Sequence, residues 1–423
     1  MLQISRLRSE PENIIRALAV KNFDASGIIK EILTLDETRR STQKNMDDLL
    51  AESNKMSKET GELFKTGKAE EANKLKEKSA ELKNKIKELE EMLRAAESEQ
   101  NNKLLLLPNI PHNTVKPGKS SEENEIIFNE GNIPVLPEDA LPHWDLAAKY
   151  GLIDFELGNK ITGAGFPVYI GKGAKLQRAL IQFFLDSAID EGYTEIQPPL
   201  MVNEASAYGT GQLPDKEGQM YHVPLDNLFL IPTAEVPITN LYRDNILKES
   251  DFPIKNVAYS ACFRREAGSY GKDVRGLNRL HEFDKVEIVQ IQHPDKSYET
   301  LEAMCKYVSS LLNKLNLPYR IVKLCGGDLS FASAMTYDFE VYSAAQKRWL
   351  EVSSVSNFES FQSNRMKLRF RNADGKISLA HTLNGSALAL PRIVASLLEN
   401  NQEKRGVLIP EILHKYTTFE IIN

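Results

Sequence analysis

The sequence predicts an α+β protein in which an N-terminal antiparallel helical hairpin precedes a larger domain of mixed strands and helices. Residues 27–100 contain no proline and are rich in Lys, Glu, Leu and Ala. Beyond Pro108, segments of two-residue alternation are interspersed with segments of helical period. The two patterns divide the chain into a helical part and an α+β part.

Composition limits the function classes that this chain can belong to. A chain of 423 residues that is 41% hydrophobic can form two or three domains. Its net charge of −6 argues against a generally basic nucleic-acid binder, so any surface for nucleic acid must be local. The three cysteines lie far apart without a C-x-x-C pair, which predicts a cytoplasmic protein without a zinc site. No apolar run approaches the ~20 residues of a membrane span, so we expect no membrane partner.

The predicted hairpin depends on apolar residues spaced three and four apart. Gly61 and Gly67 bracket the expected reversal of the chain. The clearest seam lies in the second helix, at Ala72, Leu75, Ser79, Leu82, Ile86, Leu89, Leu93 and Ala96. Such an arm either reaches a partner or dimerises. Its mixed charge is equally typical of a solvated coiled coil.

A proline-rich segment follows the arm and marks a domain boundary, because proline interrupts helices. Its prolines are Pro108, Pro111 and Pro117. We therefore expect three parts: a hairpin domain at 1–103, a linker at 104–118 and a second domain at 119–423.

The most informative stretch is 257–292, which predicts two strands joined by a basic, glycine-rich loop. Arg264 and Glu266 share one side of the first strand. Alternation places five residues on one face of the second strand: Arg279, His281, Phe283, Lys285 and Glu287. Arginine forks beside an aromatic ring favour a ligand with an oxyanion and a heterocycle. A solvent-exposed hairpin is the alternative interpretation.

The segment FRREAGSYGKDVRG, followed by HEFDKVE, resembles motif 2 of class II aminoacyl-tRNA synthetases. Its wording is that of the seryl-tRNA synthetase family, bacterial type. The helix at 174–191 and the strand predicted at 193–203, which contains Pro199, together resemble motif 1, and HTLNGSALALPR resembles motif 3. In motif 3, Ala387 and Ala389 replace two glycines. Pro391 predicts the start of a helix, which places Arg392 in its first turn. The resemblance implies a class II catalytic domain at 119–423, with a mainly antiparallel sheet flanked by helices.

The family pattern implies specific site residues. Those expected to contact serine are Thr233, Ala234, Glu235, Arg264, Glu287, Asn384 and Ser386. Those expected to contact ATP are Arg264, Arg265, Glu266, Arg279, Phe283, Glu351, Val352, Ser353, Ser354 and Arg392. Within these sets Arg264, Glu266 and Arg392 have catalytic roles. Glu351 and Ser354 are expected to hold Mg²⁺ through ATP. Alternation along the strand that contains Glu351 predicts that Trp349, Glu351 and Ser353 share one face.

The resemblance also implies an activity and partners. Serine is activated by ATP to seryl-adenylate and transferred to tRNA(Ser) by a homodimer joined through motif 1. The resemblance does not decide whether selenocysteine tRNA is a further substrate. The resemblance implies that the N-terminal helical hairpin binds the long variable arm of the tRNA. Its contacts are expected from basic residues such as Arg39, Arg40, Lys44, Lys74, Lys78 and Lys85.

Two other functions compete with this one. A paralogue that loads an amino acid onto a carrier protein would share the catalytic motifs, although such paralogues lack the hairpin. A non-catalytic coiled-coil adaptor would share the fold, although every matched catalytic position keeps a functional residue. A purely structural coiled coil accounts only for the first quarter of the chain.

Overall fold

The computed structural model describes residues 1–215, 218–265 and 275–423, which divide into two compact units. The first unit comprises Met1–Ala19 and Phe23–Pro108. The second comprises Val20–Asn22 and Asn109–Asn423. The change between units at Pro108 falls within the predicted linker.

The first unit is helical, and the predicted hairpin is confirmed. Its helices are α1 (Ile4–Ser9), α2 (Pro11–Ala19), α3 (Ser26–Lys65) and α4 (Ala69–Leu104). The buried residues of α4 include members spaced seven apart, the period of a coiled coil: Ala72, Ser79, Ile86 and Leu93. The 40 residues of α3 correspond to about 60 Å at 1.5 Å rise per residue.

The second unit combines helices with several sheets. Its helices are α5 (His143–Lys149), α6 (Phe155–Ile161), α7 (Lys172–Asp190), α8 (Glu204–Thr210), α9 (Glu235–Asn240), α10 (Ser297–Lys314), α11 (Phe361–Met366), α12 (Leu390–Asn400) and α13 (His414–Thr417). Its strands up to the glycine-rich loop are β1 (Glu125–Glu130), β2 (Ile153–Asp154), β3 (Val168–Tyr169), β4 (Thr194–Glu195), β5 (Met201–Asn203), β6 (His222–Val223), β7 (Leu228–Leu230), β8 (Ile246–Lys248) and β9 (Ile254–Phe263). Its later strands are β10 (Glu282–Gln292), β11 (Tyr319–Lys323), β12 (Met335–Ser343), β13 (Arg348–Glu359), β14 (Arg369–Arg371), β15 (Ile377–Leu379), β16 (His381–Ala389), β17 (Gln402–Glu403), β18 (Gly406–Leu408) and β19 (Ile421–Ile422).

The largest sheet in the described residues has eight strands in the order β1-β11-β12-β13-β16-β10-β9-β4. Its neighbouring strands are antiparallel except for the short β4, which runs parallel to β9. This arrangement confirms the predicted α+β fold with a mainly antiparallel sheet. It also brings β10, β13 and β16 side by side, although they lie far apart along the chain.

The core of the second unit forms where α7, α10 and α12 pack against the large sheet. Each of these helices contributes fully buried leucines, such as Leu180, Leu311 and Leu397. Cys305 is buried in α10, as its apolar spacing predicted. None of the helices in the three described ranges is long and apolar enough to cross a membrane.

Two strand predictions need correction. The segment 193–203, predicted as one strand, forms β4 and β5, because Pro198 and Pro199 lie between them and cannot donate to a sheet ladder. The pairing of β9 with β10 ends at Phe263 and Glu282. Arg279 and His281 therefore precede β10 and do not lie on its face.

Candidate active site

A polar pocket is built by α9, β10 and β16, around two buried glutamates. The side-chain amide of Asn384 donates to Glu235 Oε2 at 2.9 Å and to Glu287 Oε1 at 2.8 Å. Ser386 Oγ lies 3.4 Å from Glu287 Oε2. Glu235 and Glu287 are 6% and 1% exposed, so both carboxylates are held by hydrogen bonds away from bulk water.

Lys285 completes this pocket and is a residue that the site prediction omitted. Its Nζ lies 2.6 Å from Glu287 Oε2 and donates to Thr233 Oγ1 at 2.9 Å. The lysine is buried between these partners. It shares the alternating face of β10 with Phe283 and Glu287, and that alternation was the signal that could have identified it.

Its surroundings make the Glu235 carboxyl a weaker acid than an exposed glutamate. Burial raises the pKa of Glu235 to about 7, and the nearby Glu287 carboxylate acts in the same direction. A hydrogen bond of 2.6 Å from Gln362 Nε2 opposes this rise only in part. A cationic group entering the pocket would lower the pKa again, because opposite charge favours the carboxylate. The pocket is therefore suited to a small ammonium compound.

Arg264 extends from the end of β9 towards the same pocket. Its guanidinium lies 5.3 Å from the centroid of the Phe283 ring, and its Nε lies 3.4 Å from the Pro232 carbonyl oxygen. Its charge also opposes the raised pKa of Glu235. Arg265 lies over the Tyr221 ring at 5.7 Å. Ala234 is fully buried, and Glu266 lies outside the described residues.

A cleft of about 560 Å³ opens on the β12–β13 side of the sheet. Polar and charged residues dominate its lining, which includes four predicted ATP residues: Arg279, Glu351, Ser354 and Arg392. Arg392 Nη1 donates to the Glu351 carbonyl oxygen at 2.7 Å, and its Nε donates to the Asn278 carbonyl oxygen at 3.2 Å. As predicted, Arg392 lies in the first turn of α12, directly after Pro391.

A β-bulge decides which residues of β13 face this cleft. The register with β12 changes between Phe339, opposite Ser353, and Glu340, opposite Glu351. The extra residue at Val352 reverses the alternation, so Glu351 and Ser354 both line the cleft. The prediction that Glu351 and Ser353 share a face is therefore wrong. Ser353 is buried, donating to the Ser386 carbonyl oxygen at 2.6 Å, and the Val352 side chain is also buried.

Asp338 is a second residue that the prediction omitted. It lies opposite Ser354 on β12 and lines the cleft. Its Oδ1 is buried and has no hydrogen-bond partner in the part of the chain that the structure describes. Burial, reinforced by the neighbouring Glu351 carboxylate, raises the pKa of Asp338 well above its ordinary value. A buried oxygen without a donor beside a carboxylate fits the approach of a cation.

The basic residues predicted to contact tRNA lie on both long helices, α3 and α4. Lys74, Lys78 and Lys85 are exposed on α4, within about 40° of one another around the helix axis at 3.6 residues per turn. On α3, Arg39 and Arg40 lie 3.5 and 3.1 Å from the buried carboxylate of Asp36. Arg8 approaches the same carboxylate at 3.4 Å. Lys44 is exposed on α3.

Family models match both units of the chain. Residues 1–111 match the seryl-tRNA synthetase N-terminal domain. Residues 221–401 match the tRNA synthetase class II core domain (G, H, P, S and T).

Individual proteins resemble the chain over its whole length. A serine–tRNA ligase from Salinibacter ruber is 51% identical, with 99% of this chain and 98% of that protein covered. One from Caldicellulosiruptor saccharolyticus is 48% identical, with full coverage of both. The crystal structure of seryl-tRNA synthetase from Pyrococcus horikoshii complexed with ATP superposes with a TM-score of 0.92 at 35% identity, covering 100% of this chain and 99% of that one. The chain therefore belongs to the seryl-tRNA synthetase family, within class II of the aminoacyl-tRNA synthetases.

Proposed function

We propose that this chain ligates L-serine to tRNA(Ser) in two steps, at the polar pocket and the arginine-lined cleft of its second unit. The observation that carries the proposal is the cluster of Glu235, Asn384 and Glu287 on strands and a helix next to that cleft. Ser353 joins the two regions, because it belongs to the cleft-bearing strand β13 and donates to Ser386 in the pocket.

In the pocket, the serine ammonium binds Glu235 and Thr233, and the serine hydroxyl binds Glu287 and Ser386. Asn384 holds the two carboxylates in place, because one amide group donates to both. Lys285 balances the charge of Glu287 at 2.6 Å. A pocket that hydrogen-bonds a hydroxyl discriminates strongly against alanine, which would leave these buried groups unpaired.

In the first step, a carboxylate oxygen of serine attacks the α-phosphorus of ATP and pyrophosphate leaves. Arg264 stabilises the charge that develops on the α-phosphate, and Arg279 binds the γ-phosphate. Phe283 and Arg392 enclose the adenine ring by stacking and cation–π contact. No side chain becomes covalently attached to substrate, so the rate derives from positioning and charge stabilisation.

Other predicted contacts to ATP remain part of the proposal. Glu266 recognises the adenine amino group, and Arg265 supports the nucleotide. Val352 and Ser353 contact it through the backbone of β13, because their side chains are buried.

In the second step, the terminal ribose of tRNA(Ser) attacks the carbonyl carbon of seryl-adenylate and AMP leaves. The seryl group then forms an ester with the ribose hydroxyl. Selenocysteine tRNA is a second candidate acceptor, since serylation would follow the same chemistry.

The cleft fits a magnesium ion that arrives with ATP. Glu351 and Ser354 would hold the ion, and the unpaired Oδ1 of Asp338 provides a further oxygen beside them. When bound, Mg²⁺ neutralises triphosphate charge. Among the described residues, no group of three or more His, Cys, Asp or Glu side chains forms a metal cluster.

An exposed apolar segment supports assembly of the chain as a homodimer. Leu200 and Met201 follow Pro199 and are 42% and 45% exposed, which supports a homodimer through the segment resembling motif 1. Sedimentation equilibrium at twice the chain mass of 47.7 kDa would support it, and a monomer would refute it.

Free cysteines suit a reducing, cytoplasmic compartment.

The decisive experiment measures two activities of the full chain. Serine-dependent exchange of pyrophosphate into ATP reports the first step, and transfer of labelled serine to total bacterial tRNA reports both. We expect both activities. Exchange without transfer to tRNA would favour a paralogue that loads a carrier protein, and absence of exchange would favour a non-catalytic adaptor.

The arm gives a prediction that separates the two steps. Changing Lys74, Lys78 and Lys85 to glutamate should raise KM for tRNA at least about tenfold, because phosphate contacts dominate nucleic-acid affinity. Pyrophosphate exchange should not change, because it involves no tRNA. Changing the same lysines to arginine preserves their charge and serves as the matched control. Equal charging by the glutamate and arginine variants would contradict this role of α4.

The acidity of Glu235 predicts a pH dependence. The carboxyl is protonated below pH about 7 and negatively charged above it. Because the charged form attracts the serine ammonium, kcat/KM for serine should increase as pH rises through about 7. Glu235→Gln should have a low kcat/KM without this rise, measured by exchange at saturating ATP. A variant that keeps the wild-type profile would assign the titration to another group.

A further inference from the structure

A buried hydrogen-bond network lies beside the nucleotide cleft, among residues that the proposed mechanism does not use. Its centre is His143 on α5 and Glu399 on α12, both fully buried, 256 positions apart in the chain. Glu399 Oε1 lies 2.6 Å from His143 Nδ1 and 2.9 Å from the His143 backbone nitrogen. The Ser343 hydroxyl donates to the other carboxylate oxygen.

The hydrogen-bond partners of His143 determine which of its two ring nitrogens donates. The backbone N–H of Leu277 donates to His143 Nε2 at 2.8 Å, so Nε2 must carry a lone pair. Nδ1 is therefore the ring nitrogen that donates, and its proton points at Glu399. Burial by itself raises the pKa of Glu399, but hydrogen bonds from His143 and Ser343 hold it below its usual range. The carboxylate is thus a fixed acceptor.

These groups do not form a nucleophilic triad. The Ser343 hydroxyl donates to the carboxylate of Glu399, and the imidazole lies on the other side of that carboxylate. The imidazole is therefore not placed to remove the hydroxyl proton. None of His143, Gln346 and Glu399 lines the cleft. Their role must therefore be exerted through other residues.

The network closes into a ring through Gln346. Gln346 Nε2 donates to Glu399 Oε1 at 2.9 Å, and Gln346 Oε1 accepts from Asn278 Nδ2 at 3.0 Å. Asn278 follows Leu277, whose backbone N–H binds His143. The ring thus holds two consecutive residues, one by its main chain and the other by its side chain.

The residues held by this ring are directly connected to the cleft. The carbonyl oxygen of Asn278 accepts from Arg392 Nε at 3.2 Å, and Asn278 is followed by Arg279. Asn278, Arg279 and Arg392 all line the cleft. The backbone at Gly276 also packs tightly on the ring, since an added Cβ would lie 2.3 Å from His143 Nε2 and φ is +68°. Asn278 therefore connects the ring to both arginines, to Arg392 through its carbonyl oxygen and to Arg279 through the peptide bond.

We propose that His143, Gln346 and Glu399 are positioning residues that hold Asn278, and through it Arg279 and Arg392, in the geometry that binds ATP. The inference rests on the proposed placement of ATP in the cleft. The serine pocket has its own hydrogen bonds among Glu235, Glu287, Asn384 and Lys285, none of which joins the ring. Loss of the ring should therefore affect ATP more than serine.

The test uses two variants of the full chain. Glu399→Gln keeps the shape but places an amide where four donors meet. Gln346→Met, at a half-buried position, removes the link between Glu399 and Asn278 together with a 3.4 Å contact to His143 Nδ1, and it leaves the bonds from His143 and Ser343 to Glu399 in place. We expect KM for ATP in pyrophosphate exchange to rise about tenfold in Glu399→Gln and about threefold in Gln346→Met, while KM for serine stays within about twofold.

The matched control is Thr300→Val. It leaves the buried Gln292 Nε2 without its 3.0 Å partner, and so removes a comparable hydrogen bond that is not part of the ring. It should lower the melting temperature without changing KM for ATP. If Glu399→Gln fails to fold, Gln346→Met decides the question.

The outcomes separate this inference from the proposed function. If both network variants fold and retain the wild-type KM for ATP, or if KM for serine rises equally, the positioning role is wrong. If Arg392→Ala also retains the wild-type KM for ATP, the placement of ATP in the cleft is wrong as well. A raised KM for ATP in Arg392→Ala alone would overturn only the role of the ring.

Discussion

Replacing Arg392 with alanine is expected to lower kcat/KM for ATP in serine-dependent pyrophosphate exchange by about 10³-fold. The guanidinium donates to the carbonyl oxygens of Asn278 and Glu351, and both of these residues line the cleft. It also faces the Glu351 carboxylate at 3.7 Å. Its removal leaves that carboxylate less compensated in the cleft where we propose that ATP binds. KM for serine should change little.

The comparison with lysine distinguishes charge from shape. Arg392→Lys keeps the positive charge but loses the planar fork and its stacking, so we expect it to recover only a small part of the lost activity. Arg371→Ala is the control, because Arg371 is exposed and donates to the Gly375 carbonyl oxygen at 2.9 Å in the β14–β15 turn. Activity of Arg392→Ala equal to that of the Arg371 variant would exclude the assigned role.

A second large effect is expected in the serine pocket. Glu287→Ala should lower kcat/KM for serine by about 10³-fold or more and should remove most discrimination against alanine, because the hydroxyl loses its acceptor. The variant should also be less stable by about 3–5 kcal/mol, since breaking a buried ion pair leaves a charge uncompensated. That charge is Lys285, 7% exposed at its side chain.

A double variant separates stability from recognition. Combining Glu287→Leu with Lys285→Met removes both charges together, and this should restore much of the free energy of unfolding measured by urea denaturation. Serine activation should remain low. Recovery of activity along with stability would show that Glu287 serves the fold and does not recognise serine.

Local patterns in the sequence predicted the helical hairpin and the start of α12, whereas the expected site residues came from resemblance to a family. The hairpin followed from apolar residues at helical spacing, because each turn of a coiled coil depends on residues only three and four apart. Proline placed the start of α12, since its fixed φ suits a first helical turn. The pocket residues Glu235, Glu287 and Asn384 followed from resemblance to a family, and the structure brings them within hydrogen-bond distance.

Tertiary structure decided the features that depend on register and on contacts between distant residues. The bulge at Val352 turns Glu351 and Ser354 to the same cleft, and strict alternation could not predict it. The buried Asp338 lies opposite Ser354 in the cleft only because β12 and β13 pair at this register. His143 and Glu399 meet because α5 and α12 pack together across 256 positions. Periodicity reports which face of an element is buried, whereas sheet order, register and packing determine which polar groups meet there.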